Sequence, residues 1–340
     1  MMNSDSTRVY VSNADSRDIS VLRLDERSGE LSTLQTVATG GIVGPLSISP
    51  DQCFLYAARR NAPFAALAFR IDSRTGQLAR LGEAPLPTSM VNIAVDGSGR
   101  WLFSASYGDN QIAVSALDED GLPQPTHQVI PTEPKAHAIC SDPSNRFVFA
   151  ISLGGGLMMQ FRFDAETGRL AANDPPVLAM RTEAGPRHLV FHPHAPFVYV
   201  INELDASLDV LALDRERGTL SLLQNISALP PVFSGEPWAA ELRLTPDGRF
   251  LYTCERRSST LAGFAVNATT GTLTPLGHSA TQTQPRGFAI TASGLYLIAA
   301  GQLSHRVGVH AIDVGTGALT LVAEHDVGKS PIGVETIQLT

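Results

Sequence analysis

Asp164-Ala165-Glu166-Thr167-Gly168-Arg169-Leu170 is a polar turn that opens on an acid, closes on glycine and is followed two residues later by leucine. Six further stretches follow the same plan, one opening on Asn in place of an acid and one with the leucine directly after the glycine. They are Asp25…Gly29-Glu30-Leu31, Asp72…Gly76-Gln77-Leu78, Asp118…Gly121-Leu122, Asp214…Gly218-Thr219-Leu220, Asn267…Gly271-Thr272-Leu273 and Asp313…Gly317-Ala318-Leu319. The glycines step by 47, 45, 47, 50, 53 and 46 residues, a period that marks one supersecondary unit repeated along the chain.

A second turn signal falls midway between the glycines, as Ser49-Pro50-Asp51 before Phe54-Leu55-Tyr56 and Thr245-Pro246-Asp247 before Phe250-Leu251-Tyr252. The runs between turns are short and rich in Val, Ile, Leu, Phe and Tyr, with no amphipathic stretch of helical length. Two turn signals per unit predict four strands, here named A to D, and seven such units predict an all-β, seven-bladed β-propeller with four antiparallel strands per blade. The chain opens on a run that matches strand B (Arg8 to Ser12) and ends on one that matches strand A (Pro331 to Leu339). The C-terminal strand is therefore expected to join the N-terminal blade and close the ring, which removes an open sheet edge. Residues 1–340 are read as one propeller domain. An open solenoid of the same period would need polar capping repeats, and the Gly-His and Trp-Asp signatures of WD40 repeats are missing.

A formal charge of −8 argues against a general nucleic-acid or acidic-membrane partner, while leaving room for a local basic pocket. Met1-Met2-Asn3-Ser4-Asp5-Ser6 carries no basic patch and apolar run, so no export signal or membrane span is expected and the cytoplasm is the default. Cys53, Cys140 and Cys254 are widely spaced in apolar runs and read as reduced core thiols.

In antiparallel blades the start of A, the end of B and the start of C share one face. Counting back from each A to B turn, His137, Arg187 and Arg286 take the same repeat position near the start of the innermost strand, where other blades place Gly44, Val91 and Ala240. The ends of the B strands add Arg59-Arg60, Asn202-Glu203, Glu255-Arg256 and Gly301-Gln302 to that face. An ion-pair ring through Glu203 and Glu255 is the purely structural alternative, because buried unpaired charge is costly. The loops entering the A strands are lengthened ahead of Arg187 and Ala240, and one carries Phe233 and Trp238, either as an apolar wall for a ligand or as a staple for the loop. His192 and His194 form an H-x-H pair but occupy a turn on the opposite face, and Gly154-Gly155-Gly156 sits in a B to C hairpin with no helix after it.

At these positions the chain resembles the bacterial 6-phosphogluconolactonases of the seven-bladed lactonase family. The matching segments are Gly185-Pro186-Arg187-His188-Leu189-Val190-Phe191-His192-Pro193, Asn202-Glu203-Leu204, Trp238-Ala239-Ala240, Gln284-Pro285-Arg286-Gly287-Phe288 and Ala299-Ala300-Gly301-Gln302. The stretch Lys135-Ala136-His137-Ala138 departs from the family's Cys-His-Ser pattern. The resemblance implies hydrolysis of 6-phospho-D-glucono-1,5-lactone and kinship to propeller-fold muconate cycloisomerases. The partner implied is a small-molecule sugar-phosphate lactone, with no nucleic acid or membrane and the chain a monomer or weak homo-oligomer.

Such a reaction needs an activated water, donors to the developing oxyanion and a grip on the phosphate. Glu203 is the candidate general base, with His137 or His188 as alternatives. Arg187 and Arg286 are candidates for the oxyanion or the phosphate, and His188, Asn202, Trp238, Arg59 and Gln302 for further substrate contacts. No G-x-S-x-G nucleophile motif and no convincing metal-ligand spacing is present, so a reaction without cofactor or metal is expected. Calcium bound by Glu203, Asn202 and Glu255 is the alternative. A lactonase or cycloisomerase for another acid, or a non-catalytic scaffold, are the competing functions.

Overall fold

Short apolar runs separated by the two turn signals of each repeat pair as antiparallel hairpins, and four strands in succession make one blade. The chain was analysed as a computed structural model that describes residues 7–339; the Met1 to Ser6 stretch lies outside the described residues. Seven four-stranded sheets form, one per repeat. Among the described residues every regular element is a strand, and no helix is long and apolar enough to cross a membrane. Blade 5, for example, runs through strand A at Pro186–Phe191, B at Phe197–Asn202, C at Ser207–Asp214 and D at Thr219–Ser227. Closure is as the termini predict: Pro331–Gln338 pairs antiparallel with Thr7–Asn13 and becomes strand A of blade 1.

The acid-to-glycine turns link C to D and lock each blade to its neighbour. In the turn of blade 5, Asp214 accepts hydrogen bonds from the amides of Glu216 and Arg217, and Gly218 donates to its carbonyl at 2.7 Å. Gly218 has φ +64, and a Cβ there would lie 2.0 Å from the ring of Phe147 in blade 4. Gly168 sits in the same way on Trp101, and Gly271 on Phe197. The tyrosines in the third position of several B strands reach across the same seam: Tyr199 donates to the carbonyl of Gly271 and Tyr252 to that of Gly317. Glycine is thus required for close approach as well as for backbone conformation.

Six of the seven A strands, which line the central channel, share one irregularity; that of blade 3, Asn92–Val95, pairs without it. Their pairing with B slips between Ala136 and Ala138, Pro186 and His188, Pro285 and Gly287, Val43 and Leu46, and Ala239 and Leu242. The slip in blade 1 falls opposite Ser12 and Asn13, at Ile332. The extra residue of each β-bulge is the repeat position picked out in the sequence, including His137, Arg187 and Arg286. A bulge twists the strand locally and re-aims its side chains, here at the wide end of the channel. The positions one and three residues further along the A strand also line the channel cavity in blades 1, 2, 3, 4 and 6, and the first of them does so in blade 5.

Gly218→Ala is expected to destabilise the fold by about 1–3 kcal/mol, because it forces a methyl group onto Phe147. Gly156→Ala has a similar φ of +63 with nothing within 4 Å, so it should cost only about 1 kcal/mol of backbone strain. Chemical denaturation of the two variants measures the difference, and equal losses would remove the seam argument.

Candidate active site

A cavity of about 230 Å³ occupies the channel and is lined by A-strand residues of the blades around the ring together with Arg60 from the end of a B strand. That volume is below the range of drug-sized pockets and suits a small polar metabolite. Four arginines line it: Arg243, which is set among carboxylates described below, and Arg60, Arg187 and Arg286.

The last three are held differently. Arg187 is almost fully buried, with its Nε donating to Glu203 at 2.9 Å and an Nη donating to the carbonyl of Ala240. Arg286 makes no hydrogen bond or ion pair among the described residues, and burial, reinforced by Arg187, Arg256 and Arg60, pushes it down to about 9. Arg60 is equally without a partner and its buried Nε is unsatisfied. It reaches the cavity because blade 2 has glycine at the bulge position: a Cβ on Gly44 would stand 2.4 Å from Arg60 Cδ. The long side chain lies across the space that a bulge residue would otherwise fill.

Glu203 is the second anchor of the mouth. One carboxylate oxygen accepts from both Arg187 at 2.9 Å and Arg256 at 2.8 Å. Burial pushes its carboxyl up, but the two arginines outweigh that and hold it below the usual carboxylate range. Arg256 in turn stacks on the Trp238 ring at 3.7 Å. His137 is buried beside the site, its ring 5.0 Å from that of His188 and 5.9 Å from that of Tyr107. Burial, with Arg187 and His188 adding to it, holds the His137 imidazole neutral, well below its usual range.

Below the arginines is a tier of groups that the sequence did not single out. His188 Nδ1 lies 3.0 Å from Glu241 Oε1, and that same oxygen accepts from Arg243 at 3.1 Å. Arg243 also stands 3.6 Å from Glu335 on the closing strand. One guanidinium therefore serves two carboxylates unequally. For Glu241, burial is outweighed by Arg243 and His188, and the group falls to about 2. Glu335 has the longer contact, so burial prevails over Arg243, aided by the charge on Glu241, and raises it to about 7. Glu241, Arg243 and Glu335 follow from counting one or three positions along the A strand from the bulge in blades 6 and 1.

Several sequence-based candidates lie elsewhere. Arg59, expected on the substrate, is turned into the blade and held by Glu83 at 2.8 Å and by the carbonyl of Pro63, leaving its neighbour Arg60 to face the channel. Asn202 is fully buried and bonds Ser207 and Asp209 within its own blade. Gln302 bridges Gln284 and Ser330, and Trp238 supports Arg256 without lining the cavity. Glu255 accepts from the amides of Trp238 and Ser258. Glu255 is committed to backbone amides and Glu203 to arginines, so of the three calcium candidates only the buried Oδ1 of Asn202 lacks a partner, and no group of three His, Cys, Asp or Glu side chains that could hold a metal occurs among the described residues. His192 accepts two turn amides, as expected of a turn residue. All three cysteines are free, but only Cys254 is a core thiol: Cys53 is exposed in a turn, where no strand packs over it, and Cys140 borders the channel.

Sevenfold closure around a cation-rich channel places the chain among the β-propellers that enclose a polar central cavity. It belongs to the family described as lactonase, 7-bladed beta-propeller, which it matches over residues 8–336. The 6-phosphogluconolactonase of Cronobacter sakazakii is 41% identical over 326 residues, covering 96% of this chain and 97% of that protein. That of Serratia proteamaculans is 38% identical over 329 residues, covering 97% and 98%. Among solved structures, the periplasmic gluconolactonase of Pseudomonas aeruginosa is 27% identical with a TM-score of 0.92, covering 98% of this chain and 99% of that one.

The elevated Glu335 carboxyl has a measurable consequence for stability. A carboxyl raised in the folded state favours folding below its unfolded value, near 4.5, and that contribution is lost as pH rises through about 7. Glu335→Gln should therefore gain on the wild type between pH 5 and pH 8, by on the order of 2 kcal/mol. Thermal unfolding of both proteins across that interval checks it; a constant difference would mean that Glu335 titrates normally.

Proposed function

We propose that the protein hydrolyses 6-phospho-D-glucono-1,5-lactone to 6-phosphogluconate, a step of the pentose phosphate pathway. Membership of the lactonase family and relatives of that name at about 40% identity support the reaction class. One observation carries the choice of substrate: Arg60 and Arg286 face one cavity and neither has a protein partner. Unpaired buried cations are costly, and a phosphate dianion offers each the bidentate acceptor that the protein withholds. Arg187, fixed by Glu203 and the Ala240 carbonyl, is already oriented and supplies donors where charge develops on the lactone carbonyl oxygen. Glu203 then acts as the counter-ion that positions Arg187 and Arg256, with Trp238 stacked behind. A phosphorylated lactone does not cross membranes unaided, so the reading also sets the protein in the cytoplasm.

An unphosphorylated gluconolactone is the second reading, favoured by the likeness to the Pseudomonas aeruginosa gluconolactonase. Kinetics with both lactones separates the two. Arg60→Ala and Arg286→Ala should each lower kcat/KM for the phosphorylated lactone roughly 10- to 100-fold, the worth of one hydrogen-bonded charge, chiefly through KM. The same variants should change kcat/KM for glucono-1,5-lactone by less than about threefold. Equal losses on both substrates would show that these arginines do not hold the phosphate.

A further inference from the structure

We infer that His188, oriented by Glu241, is the general base that activates the attacking water, in place of the clamped carboxylate of Glu203. The inference rests on the lactonase reading and deepens it. His188 lines the cavity, and its Nδ1 lies 3.0 Å from Glu241. A fully ionised carboxylate at Nδ1 holds the proton there, which leaves Nε2 with a bare lone pair. That Nε2 is buried and has no hydrogen-bond partner. Nε2 has almost no accessible surface in this structure, but its side chain lines a polar cavity, and an unpartnered acceptor so placed is completed by a water or a substrate hydroxyl once the packing over it opens.

Glu203 lacks these properties. It is tied to two arginines, which makes its carboxylate a poor proton acceptor. His137 also has a buried, unsatisfied nitrogen, but its ring packs behind His188 and does not line the cavity.

The groups facing His188 are Glu241 and Arg243 from blade 6, His137 from blade 4 and its neighbour Arg187. Burial pulls the imidazole below its usual range, Arg187 and Arg243 add to that, and Glu241 opposes it. The ring is consequently neutral and able to accept a proton at neutral pH. In the step, a water oxygen bonds to the lactone carbonyl carbon as its proton passes to Nε2. The bond between that carbon and the ring oxygen then breaks, and its electron pair stays on the ring oxygen. The imidazolium returns the proton to that oxygen, which becomes the 5-hydroxyl. The new carboxyl group loses its own proton to solvent, so water and lactone are consumed and one carboxylate and one proton appear.

The test is the pH dependence of kcat, by pH-stat on freshly made 6-phosphogluconolactone, for wild type, His188→Gln, Glu241→Gln and Glu241→Asp, with 6-phosphogluconate binding measured by calorimetry. His188→Gln should lose on the order of 10²- to 10⁴-fold in kcat while binding product normally. Glu241→Gln removes the charge that sustains the basicity of the ring, so its acid limb should move to lower pH and its kcat fall about tenfold or more. Glu241→Asp keeps a carboxylate and should restore the limb toward that of the wild type, an outcome that a purely packing role for Glu241 does not give. If His188→Gln fails to fold, the two Glu241 variants decide the matter alone. An active wild type with an unimpaired His188→Gln, or an acid limb unmoved in Glu241→Gln, would overturn the dyad and leave the lactonase reading intact. A wild type inert toward the lactone would overturn that reading and the dyad with it.

Discussion

The seam between neighbouring blades is the constraint on which the rest of the molecule depends. A buried phenol must find an acceptor, and in blades 1, 2, 5 and 6 it finds the carbonyl of the turn glycine next door: Tyr10 to Gly76, Tyr56 to Gly121, Tyr199 to Gly271 and Tyr252 to Gly317. Where no tyrosine is available the chemistry changes and the contact persists, with Trp101 Nε1 donating to Ala165 and Phe147 simply seated on Gly218. The closing seam uses the same device, since Tyr296 donates to the carbonyl of Glu26 and Gly29 abuts its ring. Each seam sets the angle between two blades, and seven of them set the width of the channel.

A channel of fixed width lets cations be held where they would otherwise relax apart. Arg187, Arg256 and Arg286 surround a single carboxylate, Glu203, and Arg60 adds its charge beside Arg286, so the mouth is positively charged in a chain whose formal charge is −8. Burial and mutual repulsion depress Arg256 to about 10 and Arg286 to about 9, which leaves both protonated at neutral pH, Arg256 paired with Glu203 and Arg286 without a counter-charge of its own. The bulge makes this possible, because it turns Arg187 and Arg286 toward the channel without breaking the ladder on either side.

The ring was legible in the sequence because its two determinants are local: a turn that needs glycine, and a strand period interrupted at fixed intervals. The termini also announced the shared blade. The site was legible only where it coincides with the repeat. His137, Arg187 and Arg286 share one register, and counting from the turns found them. Arg60 was seen but passed over for Arg59, since the choice depends on which of two consecutive arginines leaves the strand and on the empty space above Gly44. Glu241, Arg243 and Glu335 were missed because the alternation of an A strand had not been continued past the bulge, and Glu335 is brought to Arg243 only by ring closure. Asn202 and Gln302 stand beside the right positions in sequence, yet Asn202 is buried within its blade, where its Nδ2 is bonded, and the amide of Gln302 is taken up by Gln284 and Ser330.

Environment, more than residue type, sorts the carboxylates of the channel. Glu203 meets two guanidiniums on one oxygen, Glu241 meets one guanidinium and one imidazole, and Glu335 meets a guanidinium already committed at shorter range. The first is thereby fixed as a counter-ion. The second is ionised so firmly that it can set the tautomer of His188, and the third is left to share its proton with solvent near neutrality. A carboxylate clamped between two guanidiniums is a poor proton acceptor, so the most obvious acid in the motif is not the base of the site. Basicity is instead found one residue beyond Arg187, on an imidazole whose charged neighbours largely cancel and whose free nitrogen has no other acceptor role to fill.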